Sequence, residues 1–143
     1  MNAIRQHARG GSDSLSYEDA PTPSLKAGEV LVRVPELARV GLNEREAKDR
    51  RILYRLAKTP MEVVLRARTL SETRGFLKAL VEAGSDRILG FTAFGPEAGE
   101  LLPVIQLAMK TQLPYAAISE LILTHPTMAE GLRNLFRSKS LNQ

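Results

Sequence analysis

The sequence contains no cysteine and no tryptophan, and aromatic residues make up only 5% of its 143 residues. Because cysteine is absent, these residues can form no disulfide, no thiolate metal site and no thiol nucleophile. The scarcity of aromatic residues means that the core must be built from aliphatic side chains. The lack of cysteine also fits a reducing compartment, which favours a cytoplasmic location.

Long apolar runs are missing as well. No segment approaches the ~20 apolar residues that a membrane-spanning helix requires, and residues 1–11, MNAIRQHARGG, lack the apolar stretch of a signal peptide. The 20 basic and 16 acidic residues, with a net charge of +4, are scattered along the whole chain. Since no basic stripe with interleaved aromatic residues occurs, the sequence predicts no nucleic-acid partner and no membrane partner. His7 has no second ligand type near it, so no metal site is predicted.

What is present predicts strands first and helices afterwards. Residues 3–34 are typical of short β elements, with a turn at Gly10-Gly11 and an alternating strand, EVLVRV, at 29–34. Asn43 and Glu46 have the spacing of a capping box and predict a short charged helix. Four further strand candidates follow this helix: ILYRLAK (52–58), EVVLRARTL (62–70), GFLKALVEA (75–83) and DRILGFTAFG (86–95).

From Pro96 onward the apolar spacing becomes helical. Three helices are predicted, one around 100–110, one near 115–123 and one from Thr127 to about Arg137. Pro103 would interrupt the first of them, so that helix is either kinked or begins later than its apolar residues indicate. The order of elements predicts an α+β fold, in which an antiparallel sheet is covered on one face by the C-terminal helices. The apolar side chains that the three helices present are Leu101, Val104, Ile105, Ala108, Met109, Ala117, Leu121, Leu123, Met128, Leu132, Leu135 and Phe136.

Three segments of the second half carry a family resemblance. PELARVGLNEREA, GFLKALVEAGSDRILGFTAFGPEAGELLPVIQLAMK and HPTMAEGLRNLF resemble, in the family's order, the C-terminal dimerisation domain of pyridine nucleotide-disulfide oxidoreductases. This family includes glutathione reductase, dihydrolipoamide dehydrogenase and mercuric reductase. The resemblance implies FAD and NAD(P)H as the family's cofactors, although FAD is held mostly by another domain, so tight binding by this chain alone is not expected.

The first 34 residues resemble a different family. MNAIRQHARGGSDSLSYEDAPTPSLKAGEVLVRV is similar to the start of the GroES-like domain of medium-chain quinone oxidoreductases and alcohol dehydrogenases. The match ends before any cofactor or zinc ligand of that family. We therefore predict two regions, an N-terminal β segment at 1–34 and the dimerisation domain at 35–143. We also hypothesise that EVLVRV fills the sheet position of the strand that opens the flavoenzyme domain.

His125 and Glu130 are the candidate catalytic residues. Pro126 disfavours helical geometry at His125, which places the imidazole just outside the last helix. A carboxylate nearby favours the protonated imidazole and a helix N-terminus opposes it, a balance suited to a general acid–base. The resemblance implies that this histidine reaches across a dimer interface to the partner's cysteine pair and that the glutamate orients it. Alternatively, Thr127 and Glu130 form a complete capping box whose only role is to start a helix.

Gly90, Gly95 and Gly99 are a candidate phosphate-binding site. Their spacing fits neither G-x-G-x-x-G nor a P-loop, so strand exit and close helix–sheet packing explain them better. The sequence as a whole predicts an interface module, a homodimer that is catalytically incomplete alone. The alternatives are an oxidoreductase subunit that completes the site of a full-length flavoprotein chain, and a chance join with no selected function.

Overall fold

The computed structural model describes residues 2–6, 15–19, 36–138 and 141. The chain divides into two compact units, Met1–Val34 and Pro35–Gln143. In the first unit, strands β1 (Asn2–Gln6) and β2 (Leu15–Asp19) pair antiparallel. The predicted strand at 29–34, the Gly10-Gly11 turn and His7 lie outside the described residues.

The second unit is built on a four-stranded antiparallel sheet. The strands are β3 (Glu36–Gly41), β4 (Tyr54–Pro60), β5 (Phe76–Glu82) and β6 (Ile88–Gly95), in the order β3-β6-β5-β4. The sequence GSDR (84–87) is typical of a tight turn, and it lies in the hairpin that joins β5 to β6.

The described part of the second unit also contains five α-helices and two short 3-10 helices. The 3-10 helices are Met61–Val63 and Ala98–Leu101. The α-helices are α1 (Glu44–Asp49), α2 (Leu65–Thr69), α3 (Leu102–Lys110), α4 (Tyr115–Ser119) and α5 (Glu130–Phe136).

The core lies between one face of the sheet and helices α3 and α5. Helix α3 contacts β3 and β6, and helix α5 contacts β4 and β5. On β5, Leu77, Ala79 and Val81 point into this core and are fully buried. Lys78 points to the opposite face, as strand geometry requires, and binds Glu44 of α1 with Nζ 2.6 Å from the carboxylate. The predicted α+β fold, in which the C-terminal helices cover one face of an antiparallel sheet, is confirmed.

The prediction of a strand at 62–70 is wrong, because this segment forms a 3-10 turn and helix α2. The β-branched pair Val63-Val64 and the alternation of LRART suggest a strand. The fully buried residues of the segment are Met61, Val64 and Ala67. They are three apart, which is a helical spacing and places all three on one face. Strand β3 at 36–41 was not predicted as a strand.

The helix boundaries also differ from the sequence patterns. Helix α3 begins at Leu102, so Pro103 lies in its first turn, where no hydrogen bond is lost. The second of the two explanations for Pro103 is therefore correct. Val104 is exposed rather than inward. Helix α4 ends at Ser119, four residues earlier than predicted, which leaves Leu121 exposed.

Candidate functional site

His125 lies in the segment that joins α4 to α5. The segment leaves helical geometry after Ser119 and re-enters it at Glu130, the first residue of α5. The His125–Pro126 peptide bond is cis. As predicted from Pro126, the histidine stands outside the helix.

Glu130 meets the imidazole of His125. Nδ1 of the ring lies 3.0 Å from Oε1 and 3.1 Å from Oε2 of the carboxylate. The side chain of His125 is 64% exposed, whereas that of Glu130 is 12% exposed. The carboxylate of Glu130 is therefore mostly covered by protein, whereas the imidazole of His125 is mostly exposed to solvent.

Thr127 holds this turn through two contacts. Its backbone N–H donates to Oε2 of Glu130 at 3.1 Å, and its hydroxyl donates to the carbonyl of Thr124 at 2.7 Å. The first contact is one arm of the predicted capping box. The second arm is missing, because the hydroxyl is directed back to Thr124 and α5 begins without a side-chain cap. The prediction of a complete capping box is therefore wrong, and Thr127 closes a loop around His125 instead.

Arg133 is a third partner of Glu130 that sequence reasoning did not single out. Its Nη2 lies 3.5 Å from Oε1 of Glu130, and its side chain is 34% exposed. The spacing i, i+3 on a helix is the signal that could have found this contact.

These contacts set the charge state of the carboxylate. The hydrogen bond from His125 is the largest cause that lowers the pKa of Glu130 below its ordinary value of 4.5, followed by the hydrogen bond from the Thr127 N–H. Partial burial acts in the opposite direction, and the charges of His125 and Arg133 add to the lowering. Glu130 is therefore an anion at neutral pH.

The pair has the chemistry of a general acid–base. An anionic carboxylate on Nδ1 orients an imidazole and leaves Nε2 as the nitrogen through which protons are exchanged. Because the side chain of His125 is 64% exposed, such an exchange would take place at the surface of the domain.

The glycines around β6 lie where the chain packs closely. A Cβ at Gly90 would lie 1.9 Å from the carbonyl oxygen of Leu42, and one at Gly95 would lie 2.5 Å from Cε of Met61. Close packing within the domain therefore explains why these two positions are glycine. In the described part of the chain, no three His, Asp or Glu side chains are grouped to hold a metal ion.

Comparison with known proteins gives the family. A family model for the pyridine nucleotide-disulphide oxidoreductase dimerisation domain matches residues 28–136 of this chain. The chain belongs to this family. Its other members bind FAD and NAD(P)H, and they form homodimers.

Relatives of this dimerisation domain are longer proteins. The chain is 34% identical over 102 residues to the probable pyridine nucleotide-disulfide oxidoreductase RclA of Escherichia coli (strain K12), a match that covers 71% of this chain and 23% of RclA. It is 34% identical over 137 residues to the mitochondrial dihydrolipoyl dehydrogenase of Homo sapiens, with 93% of this chain and 26% of that protein covered. The chain thus spans about a quarter of the length of these relatives.

A solved structure supports the same fold for the dimerisation domain. The HOCl-induced flavoprotein disulfide reductase RclA from Escherichia coli matches with a TM-score of 0.68 at 34% sequence identity, over 70% of this chain and 23% of that one. The resemblance of residues 1–34 to quinone oxidoreductases stays a prediction. Among the described residues, the helices are all too short or too polar to traverse a bilayer.

Proposed function

We propose that this domain lends His125 and Glu130, across a dimer interface, to the reaction site of a second subunit. The observation that carries the proposal is the contact between Nδ1 of His125 and the carboxylate of Glu130 at 3.0 Å, in which the ring is mostly exposed and the acid is mostly covered. A mostly exposed ring, held at Nδ1 by a mostly covered acid, can be reached by a group on a second molecule.

Exposed apolar residues near the pair support association with a second copy. Ile122 is fully exposed and Leu121 is 44% exposed, three and four residues before His125. On α3, Val104 and Leu107 also face outward, with Leu107 63% exposed. An apolar helix face and an apolar loop tip of this kind are typical of protein interfaces. A homodimer also agrees with the assembly of the family.

The domain is proposed to be catalytically incomplete by itself. The family reaction, as its name states, passes between a pyridine nucleotide and a disulfide, and these 143 residues contain no cysteine. The redox-active sulfurs and the bound flavin would belong to another domain or another chain. In this chain, His125 would hold and transfer a proton at Nε2, and Glu130 would orient the ring through Nδ1.

A second candidate function is an oxidoreductase subunit that acts in trans. It is favoured by the same exposed pair, since a flavin-bearing and cysteine-bearing reductase could accept the domain in place of its own second subunit. Complementation tests both candidates. The purified chain would be mixed with a full-length reductase of the family in which the matching histidine has been replaced, and NAD(P)H oxidation would be followed.

Restored turnover with the wild-type chain, lost with His125→Gln, is the result expected for the subunit in trans. A stable homodimer that restores nothing is expected for the interface module. A chain that is purified with flavin and oxidises NAD(P)H unaided would refute both. Thr124→Ala, which leaves the acid–base pair intact, is the matched control for changes in this loop.

We also propose the division at residue 34 and a cytoplasmic location. The compact units Met1–Val34 and Pro35–Gln143 support the division, although the family match begins at residue 28 and so includes EVLVRV. A comparison of thermal unfolding for chains that begin at residue 28 and at residue 35 tests it. Equal midpoints are expected if the division lies at residue 34, and a lower midpoint for the shorter chain would count against it.

A further inference from the structure

Glu130 is shared between two basic side chains. Oε1 lies 3.0 Å from Nδ1 of His125 and 3.5 Å from Nη2 of Arg133, while Oε2 receives the N–H of Thr127 at 3.1 Å. Both carboxylate oxygens are thus occupied, and the side chain is only 12% exposed.

This sharing matters for the charge of the histidine. If His125 were the only cationic partner, the covered carboxylate would favour a second proton on the ring to balance its charge. Arg133 is always protonated, so it balances Glu130 whatever the state of His125. The charges of Glu130 and Arg133 then balance each other. His125 can stay neutral while its Nδ1–H donates a hydrogen bond to Glu130.

We propose that Arg133 is a positioning residue that acts through Glu130: it balances the charge of this carboxylate and so keeps the imidazole of His125 free to gain and lose a proton at Nε2. The proposal rests on the proposed function of the His125–Glu130 pair and adds the residue that regulates it. Arg133 itself touches neither the transferred proton nor any reacting atom.

The surroundings of Glu130 make Arg133 the relevant charge. Among the described residues, the charged groups that act on this carboxylate are His125, from the preceding loop, and Arg133, from the same helix. Arg137 lies one turn further along, at the C-cap of α5, and is exposed. It provides a cation on the same helix that does not reach Glu130.

The experiment is an NMR titration of the His125 ring in the full chain labelled with ¹⁵N-histidine. The sequence has only two histidines, so a His7→Gln background leaves a single ring to follow. The variants are Arg133→Met, Arg133→Lys, Arg137→Met and Glu130→Gln. The ring nitrogen shifts also report which nitrogen carries the proton of the neutral form.

Arg133→Met is expected to move the midpoint of the His125 titration upward by roughly a few tenths of a pH unit, the size typical of a partly exposed ion pair. Arg133→Lys, which keeps the charge, should stay closer to the wild type, and Arg137→Met should leave the midpoint in place. In the wild type the neutral ring should carry its proton on Nδ1, and Arg133→Met should keep it there, because the N–H of Thr127 still holds Glu130.

A shift in Arg133→Met no larger than that in Arg137→Met would overturn the role of Arg133. The proposed function is tested separately by Glu130→Gln. If this variant leaves the His125 titration unchanged, the two residues do not act as a pair. Should Arg133→Met lose the wild-type amide spectrum, Arg133→Gln takes its place in the same comparison.

Discussion

Glu130 couples the stability of the domain to pH. Its pKa is lower in the folded protein than its ordinary value of 4.5, chiefly because His125 donates a hydrogen bond to it. An acid with a lowered pKa stabilises the fold above its unfolded value, and this contribution is lost as the pH falls through the folded pKa. We therefore expect Glu130→Gln to be less stable than the wild type at neutral pH, with a difference that disappears as the pH falls from 4.5 through the lowered folded pKa. Urea unfolding across this range checks the expectation, and a difference independent of pH would contradict it.

Gly90 tests whether the glycines of β6 serve packing. An added Cβ would lie 1.9 Å from Leu42 O, whereas at Gly84, in the turn between β5 and β6, it would meet nothing within 4 Å. Gly90→Ala should therefore cost at least about 2 kcal/mol of unfolding free energy, since backbone would have to move. Gly84→Ala is the matched control and should change stability by less than ~1 kcal/mol. Equal effects of the two substitutions, measured by chemical denaturation, would show that close packing is not the reason for glycine at position 90.

From the sequence, only those features of the site could be predicted that depend on the spacing of residues along the chain. Pro126 and the interval of five residues are enough to place His125 just outside a helix and close to Glu130, and the structure has the two in contact. The partner of the Thr127 hydroxyl could not be derived, because a threonine can close a loop on Thr124 or cap a helix with the same sequence around it. Arg133 was missed because a half-exposed arginine on a helix resembles any solvated charge.

The short helix α1 depends on the residue that caps its N-terminus, Asn43. The side chain of Asn43 accepts the N–H of Glu46 at 2.8 Å, and the carboxylate of Glu46 accepts the N–H of Asn43 at 2.8 Å. In a helix of six residues most backbone donors are terminal, so a cap has a large share in its stability. Asn43→Ala should cost about 1 kcal/mol, while Asn43→Asp should keep the stability near that of the wild type. Unfolding free energies from urea titration decide this, and equal losses in both variants would count against the cap.

Helices and strands that depend on residues adjacent in sequence could be predicted. Those that depend on packing against distant parts of the chain could not. The cap at Asn43 and the hairpin between β5 and β6 follow from residues adjacent in sequence. Helix α2 is different, because Val63 and Val64 favour a strand and only the burial of Met61 and Ala67 reveals the helical face. Strand β3 was hidden for a similar reason: Leu37 is 71% exposed and Ala38 is buried, so its alternation is reversed from the usual apolar-in pattern.

Association of two chains is the step on which the proposed chemistry depends. In the proposed function, a second molecule brings the reacting group to the exposed imidazole of His125. The apolar residues around the pair give a physical reason for such an encounter, since burying Ile122 and Leu121 removes apolar surface from water. The family to which the chain belongs assembles as homodimers, so a second copy is the simplest partner.

Ile122→Glu is the substitution that tests this assembly. Ile122 is 101% exposed, so a glutamate there does not disturb the fold, but a charge buried at a dimer interface opposes association. We expect the dimer dissociation constant to rise at least tenfold, which corresponds to about 1.4 kcal/mol, in sedimentation experiments. Leu53→Glu is the matched control, because Leu53 is also 80% exposed but lies between α1 and β4. A wild-type chain that stays monomeric at micromolar concentration, or equal weakening by both substitutions, would mean that the loop carrying His125 does not lie at the contact between subunits.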